Sequence, residues 1–278
     1  MYLSFDLKIS DMFYSNEIYN YLESGKKLYN EHKKKAKKKL KEFIYENGHI
    51  DGSSMKDNWF QMEKVDIFIS HSHDDIDKVK AFAGWLHDEF GIIAFIDSCV
   101  WGYCDELIKD IDDEYCKNKD EDTYNYRLRN YTTSHVHMML STALSEMIKR
   151  TECMMFYNTP NAVSLAEDVK RIKSEKKQVA LSPWIYHELA MTSLIGIDKP
   201  DRYTDSYEFV LEHKNYAERK INIEHDIEEY LKNMIAIEEN DLILWKNEYM
   251  DTQNNVDKNV HPLDVLYLLQ FKKIAKNN

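Results

Sequence analysis

A short apolar run, a stretch with helical periodicity and a second short apolar run follow one another between residues 65 and 96. This succession restricts the fold more than anything else in the chain. Val65-Asp66-Ile67-Phe68-Ile69-Ser70 reads as a buried strand that ends in small polar residues. Asp74, Asp75 and Asp77 then crowd a helix start, where carboxylates complement the helix dipole. Ile76, Val79, Phe82, Ala83, Leu86 and Phe90 recur at spacings of three and four, the mark of an amphipathic helix, and Gly91 ends it. Ile92-Ile93-Ala94-Phe95-Ile96 is a second short strand. Two strands joined through a crossover helix run parallel, because the chain returns to the same end of the sheet. The expected class is α/β, a parallel sheet flanked by helices.

The flanking segments extend this core. After Asp97 the chain reads as a loop around Trp101 and Gly102, then an acidic helix-like stretch, then a polar segment from Asn118 to Tyr131. Leu140, Leu144, Met147 and Ile148 make a helical face, and Cys153-Met154-Met155-Phe156-Tyr157 a third strand. Residues 158–178 are polar, with a short helix expected from about Leu165. Ser182 is a good N-cap and Pro183 suits the first helical position, so a further helix opens at Trp184-Ile185-Tyr186-His187-Glu188-Leu189. Residues 1–62 read as a helical N-terminal extension, interrupted at Gly48 and at Asp51-Gly52-Ser53-Ser54. Residues 63–197 form the α/β domain. Residues 198–278 read as a helical C-terminal extension, with a stripe at Ile223, Ile227, Leu231, Met234 and Ile235 and a last helix at residues 263–269.

Composition removes several function classes. A formal net charge of −12 opposes general binding to nucleic-acid phosphates, where affinity comes from Lys and Arg. The exception is Lys26–Lys41, with nine lysines against the single acid Glu31, which reads as a solvated helix face or an acidic-surface dock. No apolar run approaches the roughly 20 residues that span a bilayer. The four cysteines show no CxxC spacing, which fits reduced thiols and a cytoplasmic setting.

Ligands of open parallel sheets bind outside the carboxyl ends of the strands. Ser70, His71 and Ser72, then Asp97 and Ser98, then Tyr157, Asn158 and Thr159 follow the three strands, so their side chains are expected on one rim. Trp184 and Glu188 stand four apart and share a helix face. An aromatic ring, a carboxylate and hydroxyls together suit a ribose-bearing nucleotide. His71, His73, Asp74, Asp75, His135 and His137 superficially suit a metal, but helix capping accounts for the two aspartates, and no metal site is expected. Cys99 and Cys104 lack the partners that identify a cysteine nucleophile.

The strand Asp66-Ile67-Phe68-Ile69-Ser70-His71, read with the later Ser182-x-Trp184-x-x-x-Glu188-Leu189, resembles the TIR (Toll/interleukin-1 receptor) domain. In that family the first strand commonly reads like DVFISH and a later helix like S.W...EL. The resemblance covers the 63–197 region and implies a flavodoxin-like sheet. It also implies cleavage of the nicotinamide–ribose bond of NAD, here a substrate and not a cofactor, with Glu188 catalytic. Trp184 would line the NAD pocket, and Ser70, His71, Asp97 and Trp101 are carried over by position as further NAD-binding residues. Stand-alone bacterial TIR enzymes of Thoeris-type anti-phage defence are the similar proteins. From them follow expectations of self-association, a phage-derived activator and a separate effector answering a linear or cyclic ADP-ribose signal. Removing residues 1–60 is expected to impair assembly more than the pocket. Two departures stand out: about twenty residues separate the third strand from the Trp184 helix, and only Trp101-Gly102-Tyr103 represents the usual glycine loop. The alternatives are a non-catalytic TIR-like adaptor and a nucleoside-deoxyribosyl type of enzyme.

Overall fold

The computed structural model describes residues 1–36, 43–44, 50–59, 65–118, 123–167, 176–180, 182–203 and 225–277. In chain order these build β1 (Leu3–Lys8), α1 (Asp11–Phe13), α2 (Leu22–Ala36), α3 (Gly52–Trp59), β2 (Ile67–Ser70), α4 (Ile76–Phe90), β3 (Ala94–Ile96), α5 (Ser98–Ile111) and α6 (Tyr126–Arg150). There follow β4 (Cys153–Tyr157), β5 (Ser164–Glu167), β6 (Lys176–Ala180), α7 (Pro183–Leu194), β7 (His225–Asp226), α8 (Glu228–Lys232), β8 (Ile235–Glu238), α9 (Glu239–Asn255) and α10 (Pro262–Asn277).

The expected β2-α4-β3 crossover is present and its strands are parallel, with Ile67, Phe68 and Ile69 opposite Ala94, Phe95 and Ile96. Gly91 closes α4 at φ 68°, a left-handed conformation that lets its N–H reach the His87 carbonyl. The main sheet has five parallel strands in the order β3-β2-β4-β1-β8. By position this is the flavodoxin-like order 2-1-3-4-5. Its first three places are filled by β2, β3 and β4, but the fourth is taken by β1 from the start of the chain and the fifth by β8.

Both extensions expected to be helical therefore put strands into the sheet. In β1, Leu3, Phe5 and Leu7 alternate with Ser4, Asp6 and Lys8, and Phe5 and Leu7 are fully buried. That is the period-two pattern of a strand. Around β8, the supposed helical stripe breaks up: Ile227 caps α8, Met234 precedes the strand and Ile235 begins it. Short apolar runs satisfy both periods, and here pairing with β1 decides.

Other readings change too. The loop placed around Trp101 and Gly102 is part of α5, and the end of the polar segment, from Tyr126 to Tyr131, belongs to α6, which Asn125 caps by accepting from Leu128 N. The helix expected from about Leu165 is β5, antiparallel to β6 in a three-stranded sheet with β7. Asp51 and Ser54, taken as a break, start α3 through a bond from Ser54 N to Asp51 Oδ1. Leu40, Gly48, Phe60, Ile223 and Lys37, Lys38, Lys39 and Lys41 of the basic run lie outside the described residues.

Strand alternation gives the main sheet two apolar faces. Leu3, Phe5, Leu7, Ile67, Ile69, Met155 and Ile237 share one cluster with α4, α9 and α10, where Phe90 stacks on Trp245 at 4.1 Å. Phe68, Phe95, Met154 and Phe156 face α5, α6 and α7. Helix α2 lies on α4 so closely that a Cβ on Gly84 would stand 2.3 Å from the Tyr21 carbonyl oxygen.

Candidate active site

Alternation also decides where the polar residues after the strands go. Phe68 faces α5, α6 and α7, so Ser70, two positions on, lies on that same face. Phe95 places Asp97 there likewise. The register Ile69↔Ile96 sets Ser70 beside Asp97. Both are buried at the carboxyl end of the sheet, Ser70 completely.

Glu188 joins them from α7. Ser182 caps this helix by accepting from Ile185 N, and Pro183 occupies its first turn. Ile185, Glu188, Leu189 and Thr192 form its buried side, with the Glu188 side chain at 0% exposure. Neither carboxyl oxygen of Glu188, nor the Ser70 hydroxyl, makes a hydrogen bond of good geometry, although Ser70 and Asp97 stand close enough to act on the carboxyl. Burial drives the Glu188 carboxyl well above its ordinary range. The nearby Asp97 charge adds to the rise, and the Ser70 hydroxyl opposes it.

Asp97 is shared between two further partners. It caps α5 by accepting from Ser98 N at 2.8 Å, and its Oδ1 lies 3.0 Å from His71 Nδ1. That contact is off line for a hydrogen bond. The other ring nitrogen, His71 Nε2, is 3.1 Å from the Ser98 hydroxyl. Tyr29 of α2 donates to the Ser98 carbonyl at 3.0 Å, which hooks the N-terminal helix onto the site. The result is a buried cluster of Glu188, Asp97, His71 and Ser98, with Ser70 alongside. Such a cluster can hold a proton and place negative charge beside a developing cation.

Four of the six expected residues, Ser70, His71, Asp97 and Glu188, thus come together. Trp184 is half-buried and meets His137 of α6 edge-on at 5.5 Å. Trp101 lies on α5, and its side chain is outside the described part of the structure. Three features were not foreseen. Ser98 partners His71. His187 clamps α7 to α6 through Ser145 and the Ser141 carbonyl, both at 3.2 Å, and burial lowers its pKa. Asp75 makes no helix cap: it accepts from the Thr159 hydroxyl and, at 3.0 Å, from the Asn161 amide, tying the loop after β2 to the loop after β4.

Among the described residues, one group has metal-ligand spacing, Glu152, His261 and Asp264. The Arg202 guanidinium already bridges it, 2.6 Å from each carboxylate, and the arrangement is a clamp between the 198–203 segment, β4 and α10. A separate cleft of about 350 Å³ opens at the carboxyl ends of β1, β4 and β8, between Lys8, Ser10, Asn158 and Glu238.

Compared with known proteins, the chain matches no family model, no curated protein and no solved structure.

Proposed function

We propose that this chain is a TIR-like enzyme that cleaves the nicotinamide–ribose bond of NAD, with Glu188 as the carboxyl group that faces the reacting ribose. One observation carries the reading. Glu188 is completely buried without a well-formed hydrogen bond at the carboxyl end of a parallel sheet, beside Ser70 and Asp97. Leaving a buried polar group unsatisfied costs about 1–3 kcal/mol. A glutamate with only a solvating role has no reason to sit there, whereas functional carboxyls are often held in such environments.

The chemistry needs little acid assistance, because the cationic nicotinamide ring takes the bonding electron pair and leaves the ribose as a neutral molecule. What accelerates the step is negative charge next to the oxocarbenium-like ribose, stronger in the transition state than in the ground state. In its ionised form Glu188 supplies that charge, and the dry surroundings amplify it. Ser70 orients the carboxylate or a ribose hydroxyl, and His71, held between Asp97 and Ser98, keeps the second carboxyl in place. Water or another group of the nucleotide then captures the ribosyl cation, giving ADP-ribose or a cyclic isomer. We place the activity in bacterial anti-phage signalling from the cytoplasm, through self-association, a phage-derived trigger and a separate effector.

A second reading, a non-catalytic TIR-like adaptor, is favoured by the closure of the site: at 0% exposure Glu188 meets no solvent, so substrate entry requires the first turn of α7 or its neighbours to move. Mass spectrometry of NAD and its derivatives in cells expressing wild type or Glu188→Gln, with and without phage challenge, separates the two. Glu188-dependent NAD loss with a new ADP-ribose-containing product supports the enzyme. Equal NAD levels in both strains under several phages favour the adaptor.

A further inference from the structure

The Glu188 site is one end of a longer polar row. Register places Ser70 and Asp6 on either side of Phe156, and Lys8 beside Glu238. Period-two alternation turns Ser70, Asp6, Lys8 and Glu238 toward the same face of the sheet as Asp97. At about 4.8 Å per strand, Asp6 lies roughly 10 Å and Glu238 roughly 15 Å across the sheet from Ser70. The row passes from fully buried to open along this path: Asp6 is 5% exposed, while Lys8, Ala236 and Glu238 are exposed. Its outer end is the 350 Å³ cleft.

Resting on the NAD reading above, we infer that this cleft binds the adenosine half of the dinucleotide whose other ribose lies at Glu188. The groups suit the parts of that half in order. The Lys8 amine, 3.1 Å from Asp6 and half exposed, stands midway along the row, where a pyrophosphate would cross. Glu238 ends a parallel strand, and its exposed carboxylate caps α9 by accepting from the Asp241 N–H with one of several lone pairs; a carboxylate at a strand's carboxyl end takes ribose hydroxyls in other open α/β sheets. The Asn158 amide donates to Asp6 at 2.7 Å and turns its remaining capacity, with the Asn240 amide, to the edge of a purine, and Ile9 offers the apolar wall. A 2′-phosphate on that ribose would face Glu238 and Glu239, so the cleft selects NAD over NADP.

The test is calorimetric titration of full-length Glu188→Gln, which does not consume its ligand, with ADP-ribose and with ADP-ribose 2′-phosphate. Asn240→Trp, an exposed position at the cleft lip, and Lys8→Ala are added singly, with melting curves to show that each is folded. Expected are a loss of about ten-fold or more in ADP-ribose affinity in both variants and a similar preference for ADP-ribose over its 2′-phosphate. Glu238→Gln should narrow that preference. Unchanged affinity in folded Asn240→Trp, or no ADP-ribose binding to the parent, overturns the inference. The outcomes are separable from the enzyme reading. Glu188-dependent NAD loss that Asn240→Trp leaves untouched rejects the cleft alone. Cleft-dependent ADP-ribose binding without NAD loss rejects the enzyme and leaves a nucleotide-binding protein.

Discussion

On the proposed function, Glu188 makes opposing demands on stability and on activity, and both can be measured. Its folded pKa is raised above the ordinary 4.5, so the native state holds a proton that the unfolded chain releases. The stability tied to this group is therefore full below pH 4.5 and falls as pH rises through the raised folded value. Glu188→Gln cannot ionise, so at pH 8 it should be about 1–3 kcal/mol more stable than wild type, with the gap closing toward pH 4. Each kcal/mol corresponds to roughly 2–4 °C in melting temperature for a chain of this size. Scanning calorimetry across that range decides it: parallel pH dependence in the two proteins would mean that Glu188 is not titrating in a buried site. The proposed activity would run the other way, since its transition state wants the carboxylate. NAD cleavage should rise with pH up to the raised pKa, and Asp97→Asn, by removing a like charge, should shift that rise to lower pH. A pH–rate profile with the same midpoint in both proteins counts against the coupling. The shared rim of Ser70, His71 and Asp97 was legible in the sequence because strand ends follow from local periodicity, whereas Glu188 was singled out by the resemblance to the TIR family. Ser98 as the partner of His71 was not legible, because that contact joins residues from two different strand ends.

Helix α2 and the loop latch carry the element-scale argument. Ala is a better helix former than Gly by about 1 kcal/mol, which by itself would make Gly84→Ala stabilising. The added Cβ, however, would meet the Tyr21 carbonyl oxygen at 2.3 Å and Gly25 N at 2.7 Å, and neither backbone atom can rotate away. Overpacking of this kind costs about 1–3 kcal/mol and wins, so urea unfolding should show net destabilisation. Gly196→Ala, with nothing within 4 Å, should stay within about 0.5 kcal/mol of wild type. Because α2 holds the Ser98 carbonyl through Tyr29, Gly84→Ala should also lower the rate of NAD cleavage, whereas Gly196→Ala should not. Asp75→Ala removes the acceptor of one buried and one partly buried bond, from Thr159 and Asn161; its expected cost is about 1–3 kcal/mol in the same assay. Helices α4 and α7 were readable from their caps, since Gly91, Ser182 and Pro183 act on adjacent backbone. Asp75 was misread as a cap because its true partners lie 84 and 86 residues away.

Across the whole molecule, β1 changes what truncation should do. It is hydrogen-bonded between β4 and β8, with Phe5 and Leu7 at 0% exposure, so deleting residues 1–10 removes an interior strand. The truncated chain should fail to fold, with lost helical circular dichroism and aggregation, instead of remaining folded and assembling poorly as the sequence reading expected. A cooperative melting transition in the truncated protein would show that β1 is dispensable. The sequence by itself determined the elements whose signals are local: the β2-α4-β3 unit, β4, α7 and the alternation that turns Ser70 and Asp97 to one face. Strand order, the antiparallel β5-β6 pair and the entry of β1 and β8 into the sheet were decided by tertiary structure. The energies that choose among neighbours for a short strand are backbone hydrogen bonds and burial shared with residues up to about 230 positions away. The same holds for the chemistry of the site. A glutamate is present in the sequence, but only its removal from water beside Asp97 makes it an acid unlike those on the surface.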